Sequence, residues 1–416
     1  MPTSTHRPSA ALARAAGTAF GPYQTAVVRI GFAFTWLAFL LREWPHRQEL
    51  YGPDGPWSWG LARRLIDDNH AFTALMWSDG QPWFEAVYAL AVAASALLLV
   101  GWHTRAMSVL FMLGVLSLQN RSVFMGDGGD NIVHLIAMYL VLTRCGRVWS
   151  LDARRAHRAR LARRGAGRVA GPVLWAVCGL GLAGGTLTGE LGPVWLAFLW
   201  GLWLTHAVWW AVAGRAHGSP AHAVLDALAN LTHNAALLVI MGQVCLVYAT
   251  AGWYKIQGGR WQDGTALHYP LHLDYFSPWP ALSGLLGGSG MMVLLLTYGT
   301  VAVQVAFPFT LFNRRVKNVL LAAMMAEHAA IAVVLGLPFF SLAMIAADAV
   351  FLPSSLLRRF DGRAARRARR RDEAAAPDPS PGPVLADTPA DTTPQAPDTP
   401  SRAATPAPPS QSLTGG

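Results

Sequence analysis

Residues 82–101 read PWFEAVYALAVAASALLLVG, twenty positions in which Glu85 is the single charge. At 1.5 Å of rise per residue, such a helix spans about 30 Å, the thickness of a bilayer's hydrocarbon layer. Outward from it, comparable apolar stretches recur near 24–42, 171–188, 193–213, 234–254, 290–312, 317–336 and 338–354, which makes eight. Two shorter, polar-flanked stretches, 106–119 and 131–146, read as a helical hairpin. The sequence therefore predicts an all-α, polytopic transmembrane bundle of about ten helices, eight clear and two short, in the plasma membrane.

Composition agrees. In 416 residues, 53% hydrophobic against 13% charged is the wrong balance for two or three soluble domains. The 17 Trp and 40 Gly suit bilayer interfaces and packed membrane helices. Cys145, Cys178 and Cys245 lie far apart in or beside apolar segments, so neither a disulfide framework nor a CxxC site is expected, and no metal. Segment 1–22 is a polar, Ala-rich lead with no small-residue cleavage site after its apolar run, so it reads as cytoplasmic and not as a cleaved signal. The transmembrane domain covers 23–355 and a basic segment 356–371 follows. No aromatic residue occurs beyond Phe360, and 11 of the 27 Pro fall between Pro377 and Pro409, so 372–416 is expected to be a disordered tail.

The net charge of +10 is carried almost wholly by Arg, with Lys255 and Lys317 the only lysines. Nine Arg fall from Arg144 to Arg168 and eight from Arg358 to Arg371, and short loops this basic stay in the cytoplasm. Six predicted helices separate the two clusters and four precede the first, which puts both termini inside. This topology leaves 24 basic residues inside and seven outside. It accounts for the positive charge, so the lipid bilayer is the expected partner and nucleic acid is not.

The same topology gathers three polar stretches on the extracytoplasmic side: 43–81, Gly126 to Asn131, and 252–285. A site for a substrate from that side is expected among them. Asp127, Asp130 and Asn131 read first as a turn with Asp130 or Asn131 capping the next helix. Two carboxylates three apart suit a cation less well without a further ligand. The segment from Tyr248 through Lys255 to Trp261 and Gly264 carries the most distinctive residue. A lysine amine can give up its proton where a guanidinium cannot, and apolar burial favours the neutral amine, so Lys255 is a candidate general base. The alternative is a helix-end lysine snorkelling into headgroups. Glu327 and His328 lie in mid-segment and must face protein or water; a hydrogen-bonded histidine and a paired or protonated carboxyl are their plainer readings. Arg29, His134 and His206 are also within spans, Arg29 near an end where snorkelling is expected. No GxSxG elbow, Walker A loop, HExxH or CxxC is present, and the run Gly284 to Gly290 misses the GxGxxG spacing.

Three stretches carry a resemblance: Tyr248-x-x-Ala251-Gly252-x-x-Lys255 with Trp261 and Gly264, Cys145 through Asp152, and His328 through Gly336, Phe340, Ser341 and Met344. Together they resemble the HTTM family, bacterial membrane proteins similar to the vitamin K-dependent gamma-carboxylase, in the same order over most of 24–353. The resemblance implies an enzyme that deprotonates a reduced naphthoquinone of menaquinone or vitamin K type, lets it react with O2, and uses the resulting base to take a proton from its substrate so that CO2 can add. It implies Lys255 and His328 as catalytic residues; Asp127, Asp130, Asn131, Trp261 and Glu327 are the further residues expected to line the site. The chain departs from the carboxylase in three ways. A second important histidine has no equivalent, Asp130 or Asn131 lying nearest; the large exported domain is replaced by the cytoplasmic tail; and 171–213 looks like an inserted helical pair.

Two functions follow from different classes. One is a carboxylase-like quinol-dependent enzyme acting on a small or membrane-bound substrate. The other is a non-catalytic membrane protein for maturation, export or resistance to a secreted product. A transporter using Glu327 and His328 as a proton relay is a third, but the inverted repeats that would support it are not seen.

Overall fold

The computed structural model describes residues 7–161, 170–215 and 219–361, and among them there is no strand. The all-α expectation holds. The tail predicted at 372–416 and most of the basic segment 356–371 lie outside the described residues.

A short amphipathic helix, α1 (Arg7–Gly17), precedes α2 (Pro22–Glu43). The polar connection that follows contains α3 (Arg47–Tyr51) and α4 (Trp59–Asn69). Next come α5 (Gln81–Val100), α6 (Thr104–Arg121), α7 (Gly128–Leu140) and α8 (Leu151–Leu161). The pair α9 (Ala170–Leu187) and α10 (Pro193–Arg215) leads to the long α11 (Pro220–Gln257). A second polar connection carries α12 (Gly259–Gln262), α13 (His268–Leu271) and α14 (Pro280–Gly287). The described chain closes with α15 (Gly290–Ala306), α16 (Arg314–Val334) and α17 (Pro338–Asp348).

Among the described residues, seven helices are long and apolar enough to cross a membrane; the eighth stretch, 338–354, belongs to a pair, Pro338–Phe351 and Ser354–Asp361, bent by 104°. The two short stretches form α6 and α7, which pack on each other as the expected hairpin. The apolar core lies among α2, α5, α6, α7 and α17, around Phe32, Trp36, Leu98, Phe111 and Ile136. Outside it the helices present large apolar side chains outward, among them Leu180, Leu187, Val194, Phe309 and Phe312.

Local chemistry sets the boundaries. Ser219 caps α11 by accepting from His222 N at 3.3 Å with Pro220 in its first turn, so the helix starts well before the apolar stretch at 234. Asn230 and Asn234 on that added, polar length hold backbone carbonyls of the α1 end, Ala16 and Ala15, each at 2.9 Å. Helix α5 ends at Gly101, whose φ of 75° and lack of Cβ let Ser150 pack directly against it. Asp152 accepts from His103 N at 3.0 Å and Thr104 N at 2.8 Å, fastening the start of α6. The stretch from Cys145 to Asp152 thus acts here as a structural staple.

Two charges in apolar helices are accounted for by pairing. Glu85, the single charge of residues 82–101, receives both Nε and Nη2 of Arg47 at 3.0 Å. Arg29 corrects the snorkelling expectation: it is fully buried and donates to Leu99 O at 2.9 Å, to Trp149 O at 2.7 Å and to Leu98 O. In the last turn of α5, Leu98 O already accepts from Gly101 N at 3.0 Å, and the buried guanidinium supplies a donor to Leu99 O as well.

Candidate functional site

Lys255 sits in the last turn of α11, with Gly252 one turn before it. A Cβ on Gly252 would lie 2.6 Å from Val305 Cγ2, so the glycine lets α11 and α15 approach closely at this level. Close approach brings Gln304, the neighbour of Val305, beside the lysine. Lys255 Nζ donates to Gln304 Oε1 at 2.7 Å, and Gln304 Nε2 donates to Glu327 Oε1 of α16 at 2.6 Å. A single buried amide thereby joins the amine to the carboxyl. The Lys255 Nζ also stands 5.2 Å from the centroid of the Trp261 ring, which the turn at Gly258 positions through a Trp261 N to Gly258 O bond of 2.9 Å. The amine turns inward to the amide.

Beyond α11, the exposed Asp263 carboxylate accepts from Thr265 Oγ1 at 2.5 Å and Thr265 N at 3.0 Å. These hydrogen bonds hold its carboxyl below the usual range, so the turn that carries Trp261 keeps this charge in mild acid.

A second polar cluster adjoins the first. Tyr248 lies seven residues before Lys255, two turns down the same face of α11. Its hydroxyl donates to Asp348 Oδ1 at 2.9 Å and lies 3.1 Å from His328 Nε2. A phenol has one proton; with it directed to Asp348, the phenolic oxygen accepts from the imidazole Nε2–H, and Nδ1 keeps a free lone pair. Tyr248, His328 and Asp348 are buried, walled by Phe307 and by the Phe340 ring, whose centroid is 5.5 Å from that of His328. His328 Nδ1, Asp348 Oδ2 and Ser341 Oγ make no protein hydrogen bond although buried. Leaving such atoms unpartnered costs about 1–3 kcal/mol each, and two of them, His328 Nδ1 and Asp348 Oδ2, belong to groups already joined through Tyr248.

Asp127 and Asp130 line a separate cavity of about 260 Å³ with Arg42, Tyr275, Phe339 and Phe340. The helix cap here is Asp127 itself, not Asp130 or Asn131. Asp127 accepts from Gly129 N and Asp130 N, while Asp130 Oδ2 accepts from Asp127 N at 3.0 Å, a reciprocal capping box. Asn131 is exposed and does not line the cavity. The structure therefore unites Lys255, Trp261 and Glu327, places His328 in the adjoining cluster, and keeps Asp127, Asp130 and Asn131 out of both. Gln304, Tyr248 as a polar partner, and Asp348 were missed by sequence reasoning. Asp348 carried a signal, an acid inside an apolar stretch; Gln304, a neutral amide, carried almost none.

No family model, curated protein or solved structure matches this chain.

Proposed function

We propose that the chain is an integral membrane enzyme that deprotonates a reduced naphthoquinone at Lys255 for reaction with O2. The observation that carries this reading is the inward-turned Lys255 chained through Gln304 to Glu327, next to the Asp348–Tyr248–His328 cluster. A quinol supplies a weakly acidic hydroxyl on a flat ring, and once deprotonated it reacts with O2 to generate a base stronger than any side chain.

The residues present fit that group. Lys255 is half-buried, beside the face of Trp261 and the exposed Trp253 and Tyr254, which is aromatic surface suited to a flat ring. Lys255 Nζ takes the hydroxyl proton; Gln304 fixes the direction of the amine; Glu327, at the far end of the amide, stabilises the ammonium that forms. His328 assists through Nδ1, held in register by Tyr248 and Asp348. The acceptor is a small or membrane-bound substrate on the extracytoplasmic side, undergoing proton abstraction or carboxylation.

In this account the apolar helices lie in the cell membrane with the Arg-rich segments, and so both termini, in the cytoplasm. The outward apolar side chains support it, since soluble monomers rarely expose so much apolar surface. The test is oxygen uptake by reconstituted protein given reduced menaquinone. Lys255→Ala is expected to lower it at least ~100-fold, the usual weight of a general base, and Lys255→Arg is expected not to restore it. Unchanged uptake in both variants would leave the non-catalytic maturation or export role as the better account.

A further inference from the structure

A cavity of about 900 Å³ separates the α9–α10 pair from α5 and α6. Its volume is at the upper end for ligand sites, roughly 300–1,000 Å³. The pair is itself firmly joined. Trp175 and Trp203 stack with centroids 3.9 Å apart, and each indole donates to the other's carbonyl, at 3.3 and 3.0 Å. The walls are mostly apolar, with Leu110, Leu113, Leu182 and Trp175 among them.

One end is different. The Arg105 guanidinium lies 4.6 Å from the centroid of the Trp209 ring, and Arg144 lies 5.7 Å from the same ring. Arg144 is bound to Asp226 at 2.9 Å and to Asn230 at 2.7 Å. Among the described residues no carboxylate pairs with Arg105: Asp226 serves Arg144, and Asp152 serves the backbone of His103 and Thr104. A cation at the end of an apolar chamber calls for an anion that brings its own apolar chain.

We propose that this chamber binds one anionic phospholipid, its acyl chains between α5–α6 and α9–α10 and its phosphate on Arg105 over Trp209. The charge of Arg105 selects an anionic head, and the apolar walls select a chain-bearing ligand over free phosphate. The proposal rests on the membrane reading and is independent of the chemistry assigned to Lys255.

Native mass spectrometry of the full-length protein in detergent, offered phosphatidylglycerol, phosphatidylcholine, diacylglycerol or inorganic phosphate, tests it. Wild type is expected to retain a single phosphatidylglycerol in preference to the other three. Arg105→Gln is expected to weaken that retention about tenfold, and Arg105→Lys to keep most of it. Gly181→Phe tests the chamber without touching the charge: Gly181 lines it and a Cβ there meets nothing within 4 Å. It is expected to abolish retention while unfolding at the wild-type temperature. Equal retention of phosphatidylglycerol by wild type, Arg105→Gln and Gly181→Phe would overturn the proposal, as would equal retention of diacylglycerol or phosphatidylcholine by wild type.

Discussion

Gln304 decides how Lys255 and Glu327 act on each other. Direct contact would make a tight ion pair, whereas the interposed amide keeps the amine oriented and available. Gln304→Leu removes both hydrogen bonds and leaves a half-buried lysine and glutamate without their hydrogen-bond partner. We expect quinol oxidation to fall about tenfold or more through kcat, with stability lower by about 1–3 kcal/mol, as read from steady-state kinetics and thermal unfolding. Tyr248→Phe should act differently: it leaves His328 Nε2 and Asp348 Oδ1 unsatisfied, and we expect a stability loss of similar size with a smaller effect on catalysis. Lys255, Glu327 and His328 were legible because an ionisable side chain in an apolar stretch requires a reason. Arg29 was legible as a position but misread in role, because the carbonyls it satisfies come from Leu98, Leu99 and Trp149, far along the chain.

At the level of elements, the lysine is delivered to Gln304 by a helix contact that depends on a missing side chain. Gly252→Leu would push α11 from α15 at Val305, and overpacking of this kind costs about 1–3 kcal/mol. The expected outcome is a lower unfolding temperature together with loss of quinol oxidation, although Lys255 itself is unchanged. Gly252→Ala, whose Cβ would lie 2.6 Å from Cγ2 of the β-branched Val305 but which adds no further bulk, should lie between. Asp127→Ala, which removes both bonds of the α7 cap, should cost about 1 kcal/mol by thermal unfolding and leave quinol oxidation intact, since neither cluster includes it. Most helices could be read from apolar length, as 82–101 and 193–213 show. What escaped was the early start of α11 and the helical form of α1. Both depend on polar residues such as Ser219, Asn230 and Asn234, whose partners only the folded chain supplies.

On the scale of the whole molecule, the account stands on an orientation that places the Lys255 end of α11 outside and the Arg-rich loop before α9 inside. In a cysteine-free background, Asp263→Cys and Asp68→Cys should react with a membrane-impermeant maleimide in intact cells, and Arg155→Cys only after permeabilisation. The reverse pattern would detach Lys255 from the extracytoplasmic side and remove the proposed substrate access. The most direct measurement is mass spectrometry of naphthoquinones from membranes holding the folded protein, given reduced menaquinone and O2. The account predicts the menaquinone epoxide with wild type and none with Lys255→Ala. Epoxide in equal amount from both, or none from folded wild type, would contradict it.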